Sequence, residues 1–343
     1  MSRPNVPTTP TIPLGSTILV TGANGLIAAT LIDQLLAAGY NVRGTVRNVT
    51  RCAWLQSVIA ERQGPGRLQL VEVPDITKPG AWDESVRGVS GIAHVIGSVT
   101  SLASQLDIHL EPELVAHVSL LEAARAEPGI KSFALTSSAW AAYTPNPSRK
   151  VRLEEWTWNQ EAVDTARSDP SATGMTHLMA LKTLLEKRIW DWVEERKPHF
   201  TFNAILFDTV MGHCLHPKHI GIPSTNGFLQ CVYDGTNRDL LNSMEPQWFI
   251  DTRDAALLFI AVLTIPGIHG ERVFGFAERY SWPRVAEILQ HLYPEKEMAA
   301  LADKGWDQTE VPNERAEDLL RRVKSTGWKR LEESVKEAAA CFA

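Results

Sequence analysis

The sequence predicts a doubly wound α/β fold, in which helices cover both faces of a mostly parallel sheet. From Thr17 onward, short runs rich in β-branched and apolar residues alternate with longer helical stretches, which is the pattern of a parallel sheet covered by helices. A glycine-containing segment, TGANGLIA, follows the first of these runs and opens the first helix. The chain has 343 residues, which is long enough for one large α/β core with a smaller lobe.

The individual elements follow from these runs in chain order. The predicted strands are 17–21, 41–47, 68–73, 91–96, 132–137, 200–207 and 272–277. The clearest predicted helices span 26–38, ended by Gly39, then 112–126, which stops before Pro128, and 173–195. The amphipathic stretch WKRLEESVKEAAA near the C-terminus predicts a closing helix.

The regular alternation weakens after Leu206, where Gly, Pro, Asn and His become frequent between Gly212 and Asn242. We therefore expect two parts, a nucleotide-binding core and a smaller C-terminal substrate-binding lobe. The predicted core covers 16–206 and 246–277, and the predicted lobe covers 207–245 and 278–331. Residues 1–15 are expected to form an extended leader, and 332–343 the end of the C-terminal helix.

Composition narrows the class of protein. Apolar residues make up 44% and charged residues 22% of the chain, which is ordinary for a globular protein. A net charge of −6 without a basic block argues against a nucleic-acid partner. The four cysteines are far apart and have no metal-ligand spacing, so we expect no bound metal and a reducing, cytoplasmic location. No run of about 18 apolar residues occurs, so no membrane partner is expected.

The glycine loop predicts a dinucleotide site. Gly22, Gly25 and Ala28 stand between the first strand and the first helix, where small residues permit a tight turn and a close approach of the backbone to a diphosphate. The N-terminus of the helix adds N–H groups and the positive end of a dipole. Together with the strand that follows, the motif predicts a Rossmann-type doubly wound parallel sheet.

Residues at the end of the second strand favour NADP(H) over NAD(H). An NAD site usually offers Asp or Glu to the ribose hydroxyls at this point, whereas this chain reads Thr45-Val46-Arg47. The guanidinium of Arg47, with Arg43 or Arg51 as further candidates, suits a 2′-phosphate. The alternative is that Arg47 is a solvated surface arginine.

Longer segments extend the pattern across the chain. TGANGLIA, VPDITKPGAWDESVRGVSGIAHV, SFALTSSAW, KTLLEKRIWDWVEERKPHFTFNAIL and GWKRLEESVK resemble the extended short-chain dehydrogenase/reductases. Within that superfamily they are most similar to the dihydroflavonol-reductase-like fungal aldehyde and ketone reductases. The resemblance covers nearly the whole chain from Ser16. It implies a hydrophobic carbonyl substrate, a role in small-molecule (secondary) metabolism, and a monomer or homodimer.

The resemblance also implies roles for individual residues. Asp75 and Ile76 match the adenine contacts, and 95–98 would run beside the cofactor. Ser138 matches the serine that bonds the substrate carbonyl, and Lys182 the lysine that holds the nicotinamide ribose. The full set of expected cofactor contacts is Thr21, Gly22, Asn24, Gly25, Leu26, Arg47, Asp75, Ile76, Ile96, Gly97, Ser98 and Lys182.

One departure from the family pattern concerns the reaction itself. Hydride addition to a carbonyl develops negative charge on oxygen, so a donor must stabilise that oxygen and deliver a proton. The family uses Tyr-x-x-x-Lys, in which the lysine lowers the pKa of the tyrosine from about 10. Here the five positions read Leu178-Met179-Ala180-Leu181-Lys182, and leucine cannot donate a proton.

Three residues are candidates to replace the tyrosine. Asp208 follows the sixth strand, where doubly wound folds place ligands, although an Asp there can also bond its own turn backbone. Tyr143 lies in a loop after the serine strand. His177 can titrate near neutrality, but one residue from Leu178 it points about 100° away around the helix, so a packing role is the alternative.

Other side chains are expected to shape an apolar pocket or to serve packing. The predicted pocket residues are Trp140, Leu178, Phe207 and Met211. His213, His216 and His219 lie close together in sequence but have no fourth partner, so a metal site is not expected.

Three functions stay open from the sequence. The first is an NADPH-dependent carbonyl reductase in which Ser138 works with a donor that replaces the usual tyrosine, namely Asp208, Tyr143, His177 or an ordered water. The second is a redox-neutral enzyme on the same fold, such as an isomerase, cyclase, dehydratase or pericyclase, that keeps NADP(H) as a bound element. The third is a non-catalytic cofactor-binding protein.

Overall fold

The structure, a computed structural model, describes residues 3–96, 106–172, 174–222, 225–298 and 300–343. The strands it assigns there are β1 (Thr17–Val20), β2 (Asn41–Val46), β3 (Leu68–Glu72), β4 (Gly91–His94), β5 (Ser132–Ser138), β6 (Thr201–Phe207), β7 (Thr209–Met211), β8 (Gln247–Asp251), β9 (Arg272–Gly275) and β10 (Glu278–Tyr280).

The main sheet is parallel throughout. Within the described residues it contains seven strands in the order β3-β2-β1-β4-β5-β6-β9. These are the seven strands that the sequence predicts, with ends that differ by at most two residues. The predicted doubly wound fold is confirmed.

The strand order fixes where ligands can bind. From β1 the chain proceeds to β2 and β3 on one side, and then returns to place β4, β5 and β6 on the other side. The direction of winding therefore reverses between β1 and β4. In open α/β sheets a crevice forms at such a point, beyond the carboxyl ends of the strands, and ligands bind there.

The helices assigned over the same residues cover the sheet and build the second part of the molecule. They are α1 (Leu26–Ala38), α2 (Val49–Gln63), α3 (Asp83–Val86), α4 (Leu106–Ala126), α5 (Gln160–Ser168), α6 (Gly174–Arg196), α7 (Pro217–Ile220), α8 (Thr225–Asp234), α9 (Arg238–Ser243), α10 (Thr252–Thr264), α11 (Trp282–Leu292), α12 (Glu314–Lys324) and α13 (Leu331–Ala339). As predicted, α1 ends at Gly39, whose φ of 102° suits glycine.

The start of α4 differs from the prediction. Pro112 was expected to open this helix, because proline is common at the first helical position. The helix instead includes Leu106 and continues through Pro112. Leu106 is buried in an apolar cluster with Val163 and Leu178, so packing before Pro112 compensates for the hydrogen bond that proline cannot make.

A smaller sheet accompanies the second part of the chain. In this sheet β8 pairs in parallel with β7 and antiparallel with β10. Its core contains Met211, Phe249 and Tyr280, which pack with residues of α8, α11 and α13. The boundary between core and lobe stays a prediction, since β8 lies in a segment assigned to the core while the following α10 packs against α1.

Candidate functional site

A cavity of about 450 Å³ opens beside the crevice between β1 and β4, at the carboxyl ends of β1, β2 and β3. This volume is in the usual range for small-molecule and cofactor sites. Six of the residues expected to contact the cofactor line it, namely Gly22, Asn24, Arg47, Asp75, Ile76 and Ile96. The other lining residues are Thr45, Val46, Val73, Pro74 and Thr77.

The glycine loop has a backbone that only small residues can adopt. Gly22 has a φ of 65°, and a Cβ added to it would lie 2.9 Å from Cγ1 of Ile96. Gly25 caps α1 and has no side chain to accept the first-turn N–H groups of the helix. A backbone this close to the cavity, next to a helix N-terminus, fits the diphosphate of a dinucleotide.

Thr21 has a structural role at this crevice. It has no exposed surface, and its hydroxyl accepts the backbone N–H groups of Val95 at 2.9 Å and Ile96 at 3.1 Å. Because both lone pairs are then used, its own proton goes to Nδ1 of His94 at 2.9 Å. His94 bonds in turn to His117 at 2.8 Å. Thr21 therefore ties together the ends of β1 and β4, and the sequence reading missed both histidines.

The three candidate arginines differ in what they contact. Arg43 donates to the carbonyls of Ser85 and Arg87 at 3.0 and 2.7 Å, so its guanidinium is already used and the 2′-phosphate role suggested for it is not supported. Arg47 is exposed and lines the cavity. Arg51 is exposed on the first turn of α2. Of the three, only Arg47 is a lining residue of the cavity.

Asp75 and its neighbours form the far wall of the cavity. The Asp75 carboxylate accepts the backbone N–H of Thr77 at 3.0 Å and its hydroxyl at 2.6 Å, and these bonds lower the pKa of Asp75. Ile76 follows it along the same wall. Gly97 and Ser98, the other expected contacts, lie outside the described residues.

Ser138 lies at the carboxyl end of β5. The register pairs it with Phe207, the last residue of β6, so that Asp208 follows directly at the neighbouring strand end. The Ser138 hydroxyl oxygen accepts the backbone N–H of Trp140 at 3.2 Å. That bond leaves the hydroxyl proton available to a ligand.

The hydroxyl group of the neighbouring Ser137 is already bonded to a buried side chain. Ser137 donates to Glu186 of α6 at 2.5 Å, and Glu186 forms a buried ion pair with Arg272 of β9 at 2.8 Å. Successive side chains on a strand point to opposite faces, which separates the two serines.

Two of the predicted candidates, Tyr143 and Asp208, are bonded to each other. The Tyr143 hydroxyl lies 3.1 Å from Oδ2 of Asp208 and 3.2 Å from Oδ2 of Asp307. Asp208 also accepts the backbone N–H of Trp248 at 3.3 Å. Tyr143 and Asp307 are buried and Asp208 is half-buried, so Asp208 is the most accessible member of the cluster.

This environment changes the acidity of the cluster. Burial raises the pKa of Asp208 to about 7, an effect that the N–H of Trp248 opposes and the charge of Asp307 increases. Burial, together with the two carboxylates, raises the pKa of Tyr143 well above its usual value. Asp208 is thus a carboxyl group that can both hold and release a proton near neutral pH.

Lys182 lies on α6, one turn before Glu186. Both line a small cavity of about 30 Å³ together with His117 and Thr136. Burial lowers the pKa of Lys182 to about 8, and the charge of Glu113 on α4 opposes this shift. A lysine of this kind still carries its charge at neutral pH.

The four predicted pocket residues do not form one surface. Leu178 is buried in an apolar cluster on α6, and Trp140 packs against that cluster. Phe207 packs on Phe259 of α10, with ring centroids 5.9 Å apart. Met211 is fully buried in the core of the smaller sheet. In this structure only Trp140 and Leu178 belong to a common cluster.

The histidines considered from the sequence have packing contacts. Nδ1 of His177 lies 3.5 Å from the backbone nitrogen of Leu106, at the start of α4. His216 and His219 pack against Trp54 of α2, with centroids 5.5 and 5.0 Å from its ring. In the part of the chain that the structure describes, no group of three His, Cys, Asp or Glu side chains is arranged to hold a metal ion.

Two polar residues of the site escaped the sequence reading. Gln247 accepts the indole N–H of Trp140 at 3.0 Å, and Asp307 completes the cluster with Tyr143. The one local signal for Asp307 is the pattern Asp-x-Thr, since Asp307 accepts the backbone N–H of Thr309 at 2.6 Å. Such a turn does not indicate that its carboxylate faces a residue far away in the sequence.

Comparison with known proteins agrees with this geometry. The family described as NAD dependent epimerase/dehydratase matches residues 18–165. Aldehyde reductase 2 of Sporidiobolus salmonicolor is 36% identical over 331 residues, covering 95% of this chain and 96% of that protein. Ketoreductase adrE of Penicillium rubens is 36% identical over 335 residues, covering 96% of this chain and 97% of that protein.

Solved structures show the same fold. Yeast methylglyoxal/isovaleraldehyde reductase Gre2, complexed with NADPH, superimposes with a TM-score of 0.80 at 18% identity, covering 95% of this chain and 97% of that chain. Fold and relatives together define an extended short-chain dehydrogenase/reductase. The chain belongs to the NAD dependent epimerase/dehydratase family, and its relatives include aldehyde reductases and ketoreductases. Among the described residues, no helix has the length and apolar character needed to cross a membrane.

Proposed function

We propose that this protein is an NADP(H)-dependent reductase of a hydrophobic aldehyde or ketone, in which Asp208 with Tyr143 supplies the proton that a tyrosine supplies in its family. The observation that carries the proposal is the hydrogen bond between Tyr143 and Asp208, beside Ser138 at the carboxyl ends of β5 and β6. The 36% identity to an aldehyde reductase supports the reaction class.

The cofactor preference rests on the dinucleotide cavity. Gly22 and Gly25 would hold the diphosphate, Arg47 the 2′-phosphate, and Lys182 the nicotinamide ribose. When bound, NADPH supplies the hydride equivalent. The exposed guanidinium of Arg47 at the cavity wall, where NAD sites carry an acid, supports NADP(H).

The remaining chemistry belongs to side chains. The free hydroxyl proton of Ser138 is donated to the substrate oxygen and stabilises the charge that develops there. The Asp208 carboxyl gives its proton to the same oxygen, so an O–H bond of the carboxyl breaks as the alcohol O–H forms. Asp208 is left as a carboxylate and recovers a proton from water. A pKa of about 7 suits both halves of this cycle.

The test follows NADPH absorbance with a panel of apolar aldehydes and ketones. Asp208→Asn and Ser138→Ala should each lower kcat by about 10²–10⁴-fold, the usual contribution of a general acid or an oxyanion donor, with little change in NADPH affinity. Asp303→Asn, which alters an exposed carboxylate, is the matched control and should retain full activity. Tight NADPH binding without turnover of any substrate would refute the reductase proposal.

A redox-neutral reaction is the second candidate. The replacement of the family tyrosine by Leu178, beside a carboxyl group that titrates near neutrality, favours proton transfer without hydride transfer. An isomerase, cyclase, dehydratase or pericyclase of this kind would form its product at equal rates with NADPH and NADP⁺ bound. A reductase would require NADPH, so one comparison of the two cofactor forms separates the candidates.

A further inference from the structure

The carboxyl groups of Asp307 and Asp208 lie on either side of the Tyr143 hydroxyl. The Tyr143 hydroxyl lies within hydrogen-bond distance of Oδ2 of both carboxyl groups, at 3.1 and 3.2 Å. Asp307 is 1% exposed and Tyr143 is 4% exposed, so water does not separate these charges. Asp307 comes from the segment between α11 and α12, 164 residues from Tyr143.

The hydrogen bonds of this cluster require one proton in addition to the phenolic proton of Tyr143. The Tyr143 hydroxyl has one proton and can donate it to only one carboxylate at a time. If both carboxyl groups were ionised, the other Oδ2 would face the lone pairs of the phenol oxygen, close to a second negative charge. Two acids in such proximity do not both ionise readily. One of the two therefore carries a proton at neutral pH.

The surrounding hydrogen bonds indicate which of the two carboxyl groups carries the proton. Oδ1 of Asp307 accepts the backbone N–H of Thr309 at 2.6 Å, a short bond of the kind that stabilises a carboxylate. The corresponding bonds to Asp208, from the N–H of Trp248 to Oδ2 and from the hydroxyl of Thr209 to Oδ1, are both 3.3 Å long and therefore weaker. These bonds favour the negative charge on Asp307 and the proton on Asp208.

Other charged and titratable groups surround the cluster. Tyr280 of β10 interacts with Asp208 and bonds to Thr209, the residue that follows Asp208. Arg279, also on β10, donates to the carbonyl of Thr309 at 2.9 Å and lies 4.5 Å from the Trp248 ring centroid. Neither forms an ion pair with Asp208 among the described contacts, so no cation there offsets the charge of Asp307 beside it.

We propose that Asp307 is a positioning residue whose negative charge, on the other side of the Tyr143 hydroxyl, keeps Asp208 in its protonated, proton-donating form. The proposal rests on the proposed function only in what it says about catalysis. Once Asp208 has released its proton to the substrate oxygen, two negative carboxylates face one phenol. Their repulsion favours renewed protonation of Asp208 by water and so prepares the next turnover.

Two variants give opposite expectations for the titration of Asp208. Asp307→Asn removes the neighbouring charge at nearly constant shape, so Asp208 should titrate at lower pH, by about one unit. Tyr143→Phe keeps that charge and removes a hydrogen bond that stabilises the Asp208 carboxylate, so Asp208 should titrate at higher pH. A purely structural role of Asp307 predicts no such pair of opposite shifts.

The measurement is a pH titration of the side-chain carboxyl carbons by NMR on the intact protein, with the Asp208 signal assigned by its loss in Asp208→Asn. Asp303→Asn is the control and should leave the Asp208 titration unchanged. Shifts in opposite directions for Asp307→Asn and Tyr143→Phe support the proposal. An unchanged or lowered titration point in Tyr143→Phe overturns it, even if Asp307→Asn does not fold.

The same shifts should appear in the alkaline limb of the pH profile of kcat/KM. That second readout depends on the reductase proposal, whereas the NMR titration needs neither cofactor nor substrate. A correct titration without turnover would therefore refute the proposed function and leave the role of Asp307 intact.

Discussion

The two ends of the binding crevice differ in how closely they follow the family pattern. At the ends of β1, β2 and β3, six expected cofactor residues line one cavity. At the ends of β5 and β6, a cluster of Tyr143, Asp208 and Asp307 is present, and the buried Leu178 stands at the position where we predict that the family tyrosine has been lost. The first end follows the pattern that the family predicts for a cofactor site, whereas the second end has an acidic cluster that the sequence predicted only in part.

The difference follows from how each end is assembled. The phosphate loop is a local structure, fixed by small residues a few positions apart and by the helix that follows. The acidic cluster joins segments far apart in the sequence, so its members can change one at a time while the sheet stays intact. A family relationship therefore carries more information about the cofactor than about the proton donor.

The largest effect is expected in the phosphate loop. Gly22→Ala adds about 1–2 kcal/mol of backbone strain at a φ of 65° and also displaces Ile96 from its place in the cavity. NADP(H) affinity should fall by about 10²-fold or more, as measured by fluorescence titration. Gly88→Ala has a similar φ of 71° but meets no neighbouring atom, so it should cost stability alone. Equal affinities in the two variants would contradict a dinucleotide site at this loop.

Arg47→Ala tests the choice between cofactors. Loss of charge-assisted bonds to a 2′-phosphate, worth about 1.5–3 kcal/mol, should weaken NADPH binding by about 10–100-fold and leave NADH binding unchanged. Arg152→Ala, at a side chain that is 74% exposed, should affect neither cofactor. If Arg47→Ala weakened NADPH and NADH equally, the 2′-phosphate role would be wrong.

Leu178→Tyr introduces the residue that we predict the family carries at this position. Leu178 is 7% exposed and packed against Leu106, so the larger ring should reduce the free energy of unfolding by about 1–3 kcal/mol in urea denaturation. Leu178→Met, which nearly conserves volume, should cost less than about 1.5 kcal/mol. A tyrosine accepted without loss of stability would mean that this position keeps room for the family arrangement.

The smallest expected effect is a dependence of cofactor binding on pH. Burial lowers the pKa of Lys182 to about 8, so its charged form is present below that pH and is lost as the pH rises through it. NADPH affinity should decline by a few-fold over that interval, and isothermal titration would detect it. In Lys182→Met the decline should disappear. A decline of equal size in the variant would assign the pH dependence to another group.

Sequence reasoning reached the sheet and the loop because each has a local signature. Alternating hydrophobic runs predict all seven strands of the main sheet, and Gly39 predicts the end of α1. The extension of α4 before Pro112 depends on tertiary packing of Leu106, which no local pattern reports. Arg43 is a candidate phosphate ligand from the sequence, but in the structure its guanidinium donates to the carbonyls of Ser85 and Arg87.

The cluster of Tyr143, Asp208 and Asp307 could be predicted from the sequence only in part. Tyr143 and Asp208 could be chosen because each lies just beyond a predicted strand, where ligands bind in this fold. Their contact, and the approach of Asp307 from a segment beyond α11, depends on the packing of the smaller sheet. Met211 was expected beside a ligand, but its side chain points into that sheet's core.

The bond from Ser137 to Glu186 has a consequence for which serine meets a substrate. Two identical hydroxyl groups stand side by side in Ser137-Ser138, and the chemistry of a serine alone cannot distinguish them. Glu186, which is paired with Arg272, accepts a hydrogen bond from the hydroxyl of Ser137. Because that bond engages the hydroxyl of Ser137 on one face of the strand, only the hydroxyl of Ser138, on the other face, keeps a proton to offer to a ligand.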